Sequence, residues 1–146
     1  MHLLVNFILM LLIFNFMSEK EIVFSYMLLS LFFGALFPDL DFMLGKKYHR
    51  FFLFHSIILL FPIWLFYFLG GMEFFIELWG FLILNVGIHL VCDVRIIHEK
   101  RRGSYTIKFY LTPENRVRGL RGKASTTWLV VNFIMSIFIF IISIYH

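Results

Sequence analysis

Five apolar segments occupy most of this 146-residue chain, and a spanning helix needs about 20 mostly apolar residues. That pattern constrains the fold more than any motif. Composition closes off the alternatives. Apolar residues make up 61% and charged residues 15%, with 21 phenylalanines and a mean hydropathy of +0.88. A soluble domain of this size cannot cover so much apolar surface, and intrinsic disorder requires the opposite bias. The expected fold is an all-α integral membrane protein forming one transmembrane domain over residues 1–146. It is a bundle of about five helices, with a short basic surface hairpin or amphipathic segment before the last.

The first segment covers about residues 2–17. Because no Lys or Arg precedes it and no small-residue cleavage site follows, it reads as a short span, not a signal peptide. Ser18-Glu19-Lys20-Glu21 has the capping-box pattern and opens a helix over about 19–37, which Pro38 stops. A third helix is predicted over 48–69, kinked at Pro62 and ended by Gly70-Gly71. Glu73 and Glu77 suit the positive end of a fourth, over 72–97. The fifth covers 125–145. Between the last two lies a basic loop, 98–124. Its stretch Tyr105–Leu111 alternates apolar and polar and precedes a Thr112-Pro113-Glu114-Asn115 turn.

Charge sets the orientation. Nine of the 13 Lys and Arg residues lie between Arg95 and Lys123. With five spans, the loops at 38–47 and 98–124 share one side and, with Arg50 and Arg95 at helix ends, hold all the basic residues but Lys20. The positive-inside rule places that side in the cytoplasm, leaving the N-terminus inside and the C-terminus outside a plasma (inner) membrane. The cluster therefore reads as a topology signal that gathers anionic headgroups of membrane lipids, with no nucleic-acid partner. Trp64, Tyr67 and Tyr145 outside, with Tyr48 and Trp128 inside, read as aromatic belts. The single cysteine, Cys92, excludes an internal disulfide and reads as a small packing residue.

Ionisable residues within membrane segments are costly, roughly 2.5–3.5 kcal/mol each, so they are functional candidates by default. Asp39 and Asp41 end the second segment. His49, Arg50 and His55 begin the third, His89 and Asp93 sit near the end of the fourth, and His2 begins the first. All fall on the cytoplasmic side, so four helix ends bring imidazoles and carboxylates to one depth. His89 and Asp93 are one turn apart on one face, with Asn85 a turn deeper. The pair can share a metal, or the carboxylate can orient the ligating histidine. Asp39 and Asp41 point the same way if the backbone there is extended. His49 and His55 lie about 120° apart on a regular helix, so they share a site if the helix entrance is irregular. Gly87 permits close approach of a neighbouring helix. Ser125, Asn132, Ser136 and Ser143 fall near one face of the last helix and suit interhelical hydrogen bonds.

These residues, in order, resemble a known family. Phe37-Pro38-Asp39-Leu40-Asp41 is similar to the L-P-D-[IL]-D element of the YdjM-type inner-membrane proteins, described as predicted LexA-regulated, membrane-bound metal-dependent hydrolases. His49-Arg50 with His55-Ser56 resembles that family's H-R-G-x-T-H-S element, one residue wider and with Phe51 and Phe54 in place of Gly and Thr. Gly87–Asp93 resembles its G-x-x-H-x-x-x-D element, though the T-P-x-G that often follows is missing. Met1–Leu4 is similar to its N-terminal helix start, which also carries a histidine. The resemblance implies a metal-dependent hydrolase.

The expected activity is therefore hydrolysis at the cytoplasmic membrane face, on a lipid or lipid-linked (phospho)ester. Asp39, Asp41, His55, His89, Asp93 and His2 are the metal candidates. His49 is a further ligand or general acid, and Arg50 an anchor for phosphate or carboxylate. The mixed donors suit a divalent metal, zinc first and manganese or iron next, in a mono- or binuclear centre. A non-catalytic metal-binding scaffold and a cation or proton transporter are the alternatives. Transporter sites, however, usually lie at the midplane between repeats, and no repeat is visible.

Overall fold

A computed structural model describes residues 2–15, 20–44, 50–99, 106–111 and 117–146. The chain is mostly helical. Five α-helices form: α1 (His2–Phe14), α2 (Lys20–Leu36), α3 (Leu60–Leu69), α4 (Glu73–Glu99) and α5 (Lys123–Tyr145). A 3₁₀ segment, Phe37–Leu44, continues α2, and an antiparallel hairpin of β1 (Thr106–Leu111) and β2 (Val117–Arg121) precedes α5. Of the two forms open for the basic loop, the hairpin is the one adopted. Its expected turn at 112–115 and the capping residues Ser18 and Glu19 lie outside the described residues.

Among the described residues, two stretches are long and apolar enough to cross a membrane, Glu73–Val94 with 22 residues and Lys123–Tyr145 with 23. The apolar parts of the other helices are shorter: Leu4–Ile13, Phe24–Leu40 and Leu60–Leu69. Helix α4 is the hub, packed against α2 on one side and α5 on the other. Without a hydrophobic drive between helices in lipid, such packing depends on small residues that let backbones approach. Gly34 on α2 faces Asn85, where an added Cβ would come within 2.5 Å of the Asn85 Cβ. Gly87 on α4 faces Ser136 of α5, where an added Cβ would collide with the serine side chain.

Several sequence expectations change. The α-helical part of the second helix does end just before Pro38, at Leu36. The chain then tightens into 3₁₀ geometry, where proline's fixed φ is tolerated near the start. The third helix begins at Leu60, not at 48, so Pro62 falls in its first turn and introduces no interior break. The first N–H groups of a helix have no intrahelical partner for proline to remove. The expected turn at Gly70-Gly71 is present, with Gly71 at φ +64°.

Residues 50–59, expected as helix, form irregular turns, yet His55, Ser56 and Ile57 are buried. Buried backbone must be hydrogen-bonded, and here side chains and a strand do this. The Ile57 N–H donates to Asn132 Oδ1 at 3.0 Å. Trp128 Nε1 donates to the His55 carbonyl at 3.0 Å. Lys108 of β1 donates its N–H to the Arg50 carbonyl and accepts from the Phe52 N–H, both at 2.9 Å.

Candidate metal centre

Three elements converge on one point. Asp39 comes from the 3₁₀ segment, His55 from the irregular entry to α3, and His89 from α4. Each offers one ligand atom, and the three atoms lie within 4.8 Å of one another. The two imidazoles are buried and meet edge to face, with ring centroids 6.4 Å apart. The Asp39 side chain is 51% exposed, so the cluster has one open side.

The orientation of His89 is informative. Its Nδ1 lies 2.8 Å from the Ala35 carbonyl oxygen, an acceptor with no proton to give. Nδ1 therefore carries a proton and donates, and in the neutral ring Nε2 is then the acceptor. Nε2 is the atom that points towards Asp39, 3.9 Å from its Oδ1. Metal-binding histidines are held this way, with the second ring nitrogen donating to a carbonyl or carboxylate. The close approach at Gly34 brings the neighbouring Ala35 carbonyl within reach of α4. Asp93, one turn beyond His89, places Oδ2 3.6 Å from His55 Nε2.

Of the residues singled out in the sequence, the structure brings together Asp39, His55, His89 and Asp93. Arg50 stands at φ +67°, a backbone conformation uncommon outside glycine, and β1 holds its carbonyl. His49 and the side chains of His2 and Asp41 lie outside the described residues. On α5, Asn132 and Ser143 reach across to Ile57 and Trp64, while Ser125 and Ser136 bond to carbonyls of their own helix start or turn. Two residues with roles here escaped sequence reasoning. Trp128 reads as a belt aromatic but fixes the His55 backbone, and Ala35 acts through a carbonyl that any residue would supply. The one sequence cue to Ala35 is its small neighbour, Gly34.

A sequence model of the YdjM inner membrane protein family matches residues 1–96, which contain all three donor residues. The chain belongs to that family. No curated protein and no solved structure matches it. The match covers α1 to α4 short of its last residues, so in this YdjM-family protein the hairpin and α5 lie beyond the matched region. The bonds from Trp128 to the His55 carbonyl and from Ile57 to Asn132 are therefore made to a helix outside it.

Proposed function

We propose that this YdjM-family protein is a membrane-embedded, metal-dependent hydrolase acting at the cytoplasmic face on an ester or phosphoester of a lipid or lipid-linked molecule. The observation that carries the reading is the fixed tautomer of His89, which aims a buried lone pair at Asp39 beside a second buried imidazole. Two imidazoles and a carboxylate are the donor set of many catalytic zinc sites, which keep a further position open, and the exposed side at Asp39 suits that opening. Zinc is the preferred ion, with manganese and iron as the next candidates. A divalent cation held there supplies Lewis acidity and makes hydroxide available near neutral pH.

The protein's own groups divide the remaining work. Asp39, His55 and His89 hold the cation, and Asp93 orients His55 as a carboxylate partner. His2 is a further donor in this reading; Asp41 shares the site only on an extended backbone, and the segment is 3₁₀. Arg50 anchors the anionic part of the substrate through its planar fork, and His49 delivers a proton to the departing oxygen. The basic hairpin, bonded through Lys108 to the backbone beside the site, gathers anionic headgroups.

Five crossings complete the reading. The apolar stretch Phe24–Leu40 of α2 and its 3₁₀ extension rises about 28 Å, close to a hydrocarbon core of about 30 Å. The shorter α3 is lengthened by the buried turns that precede it. The experiment is turnover of a panel of phospholipids and lipid-linked phosphoesters by zinc-loaded protein in vesicles, with metal-stripped protein as control. Metal-dependent release of a product supports the reading. Bound metal without turnover would make the protein a scaffold, and ion flux in its place would make it a transporter.

A further inference from the structure

The outer face of α2 carries a groove of about 540 Å³, lined by Leu28, Leu29, Phe32, Phe33, Leu36 and Leu40, with Ser25 at its far end. These positions form one helical stripe, turned away from the buried face of Met27, Ser30, Leu31 and Ala35. Its near end is the important one. Leu36 and Leu40 bracket Asp39, whose half-exposed side chain forms the open side of the metal centre. From Leu29 to Leu40 the α-helical and 3₁₀ rises add to about 18 Å, close to the roughly 15 Å hydrocarbon depth of one leaflet.

We infer that this groove seats one acyl chain of a membrane lipid and so delivers the bond at the chain's head to Asp39. The inference rests on the proposed hydrolase reading and names its substrate class, an acyl-chain lipid held by a single chain. Lipid tails are as apolar as leucine, so apolarity alone favours neither face, but a concave groove adds dispersion contacts around a seated chain that a flat face lacks. It also contributes position: a chain confined along α2 leads to the candidate ligand, whereas a chain elsewhere on the surface does not. The outer face of α5 provides the comparison. Val130, Val131, Ile134, Met135, Phe138 and Ile141 are equally apolar and exposed, on a helix that supplies none of the three donor atoms.

The test is photolabelling in nanodiscs of phosphatidylethanolamine and phosphatidylglycerol, with a trace of phosphatidylglycerol bearing a diazirine in its acyl chain. The full chain is used, and labelled peptides are mapped. Residues 25–40 are expected to take up more label than residues 130–141 of α5. Leu36→Trp should fill the near end and lower groove labelling to the level of the α5 face. Leu29→Trp, a second exposed position further along, should do the same should Leu36→Trp fail to fold. Equal labelling of the two faces, or labelling indifferent to both tryptophans, would overturn the inference. Groove labelling without turnover of any lipid would overturn the hydrolase reading alone, because occupancy of the groove does not depend on chemistry.

Discussion

At the scale of single residues, the account turns on which groups hold a cation and which position those that do. His89 is assigned as a ligand because the Ala35 carbonyl fixes its proton on Nδ1, and Asp93 as the partner of His55 at 3.6 Å. The two substitutions should therefore differ in degree. His89→Ala removes a donor and should abolish stoichiometric metal binding. Asp93→Asn keeps the shape and removes the charge beside His55, and should weaken affinity by about 10–100-fold while a full equivalent still binds at saturation. Metal titration of purified protein distinguishes them, and equal loss in both variants would make Asp93 a ligand. Asp39, His89 and Asp93 were legible in the sequence because charge in an apolar segment stands out, and the i, i+4 spacing survives in any helix. The Ala35 carbonyl was not legible, since a backbone acceptor leaves no trace in residue identity.

At the scale of elements, the site depends on two approaches that glycine and asparagine make possible. Gly34→Val would drive its side chain into Asn85 and the Leu82 carbonyl, separating α2 from α4. The Ala35 carbonyl would then leave His89, so metal affinity should fall although no ligand has changed. Retained affinity in a folded Gly34→Val protein would show that the carbonyl does not orient His89. On the other side of the site, Asn132→Ala strands the buried Ile57 N–H. It should destabilise the protein by about 1–3 kcal/mol, read from thermal unfolding in detergent. The number and order of the helices followed from the apolar runs, while the alternation at 105–111 left a hairpin as one of two forms. The entry to α3 did not follow. Residues 50–59 are apolar enough for helix, and their irregular path is set by partners on β1 and α5 more than fifty residues away. Local pattern does not encode bonds of that range.

For the whole molecule, the sequence asymmetry of charge is the organising fact. The basic hairpin and the metal centre share one end of the bundle, joined through the pairing of Phe51 with Lys108. If that end is cytoplasmic and the chain crosses five times, a reporter fused after His146 should behave as periplasmic: alkaline phosphatase active, a cytoplasm-dependent fluorescent protein dark. The opposite pattern would remove the five-crossing arrangement. It would leave the convergence of Asp39, His55 and His89 untouched, because that rests on packing among α2, α4 and the turn before α3.

Anomalous scattering at the zinc edge, with elemental analysis of the same crystals, decides whether a cation sits where the three donors meet. The account predicts a peak among Asp39, His55 and His89 in the native protein and its loss in His89→Ala crystals of unchanged fold. A native protein loaded with zinc but showing no peak there, or a peak that persists in His89→Ala, would contradict it.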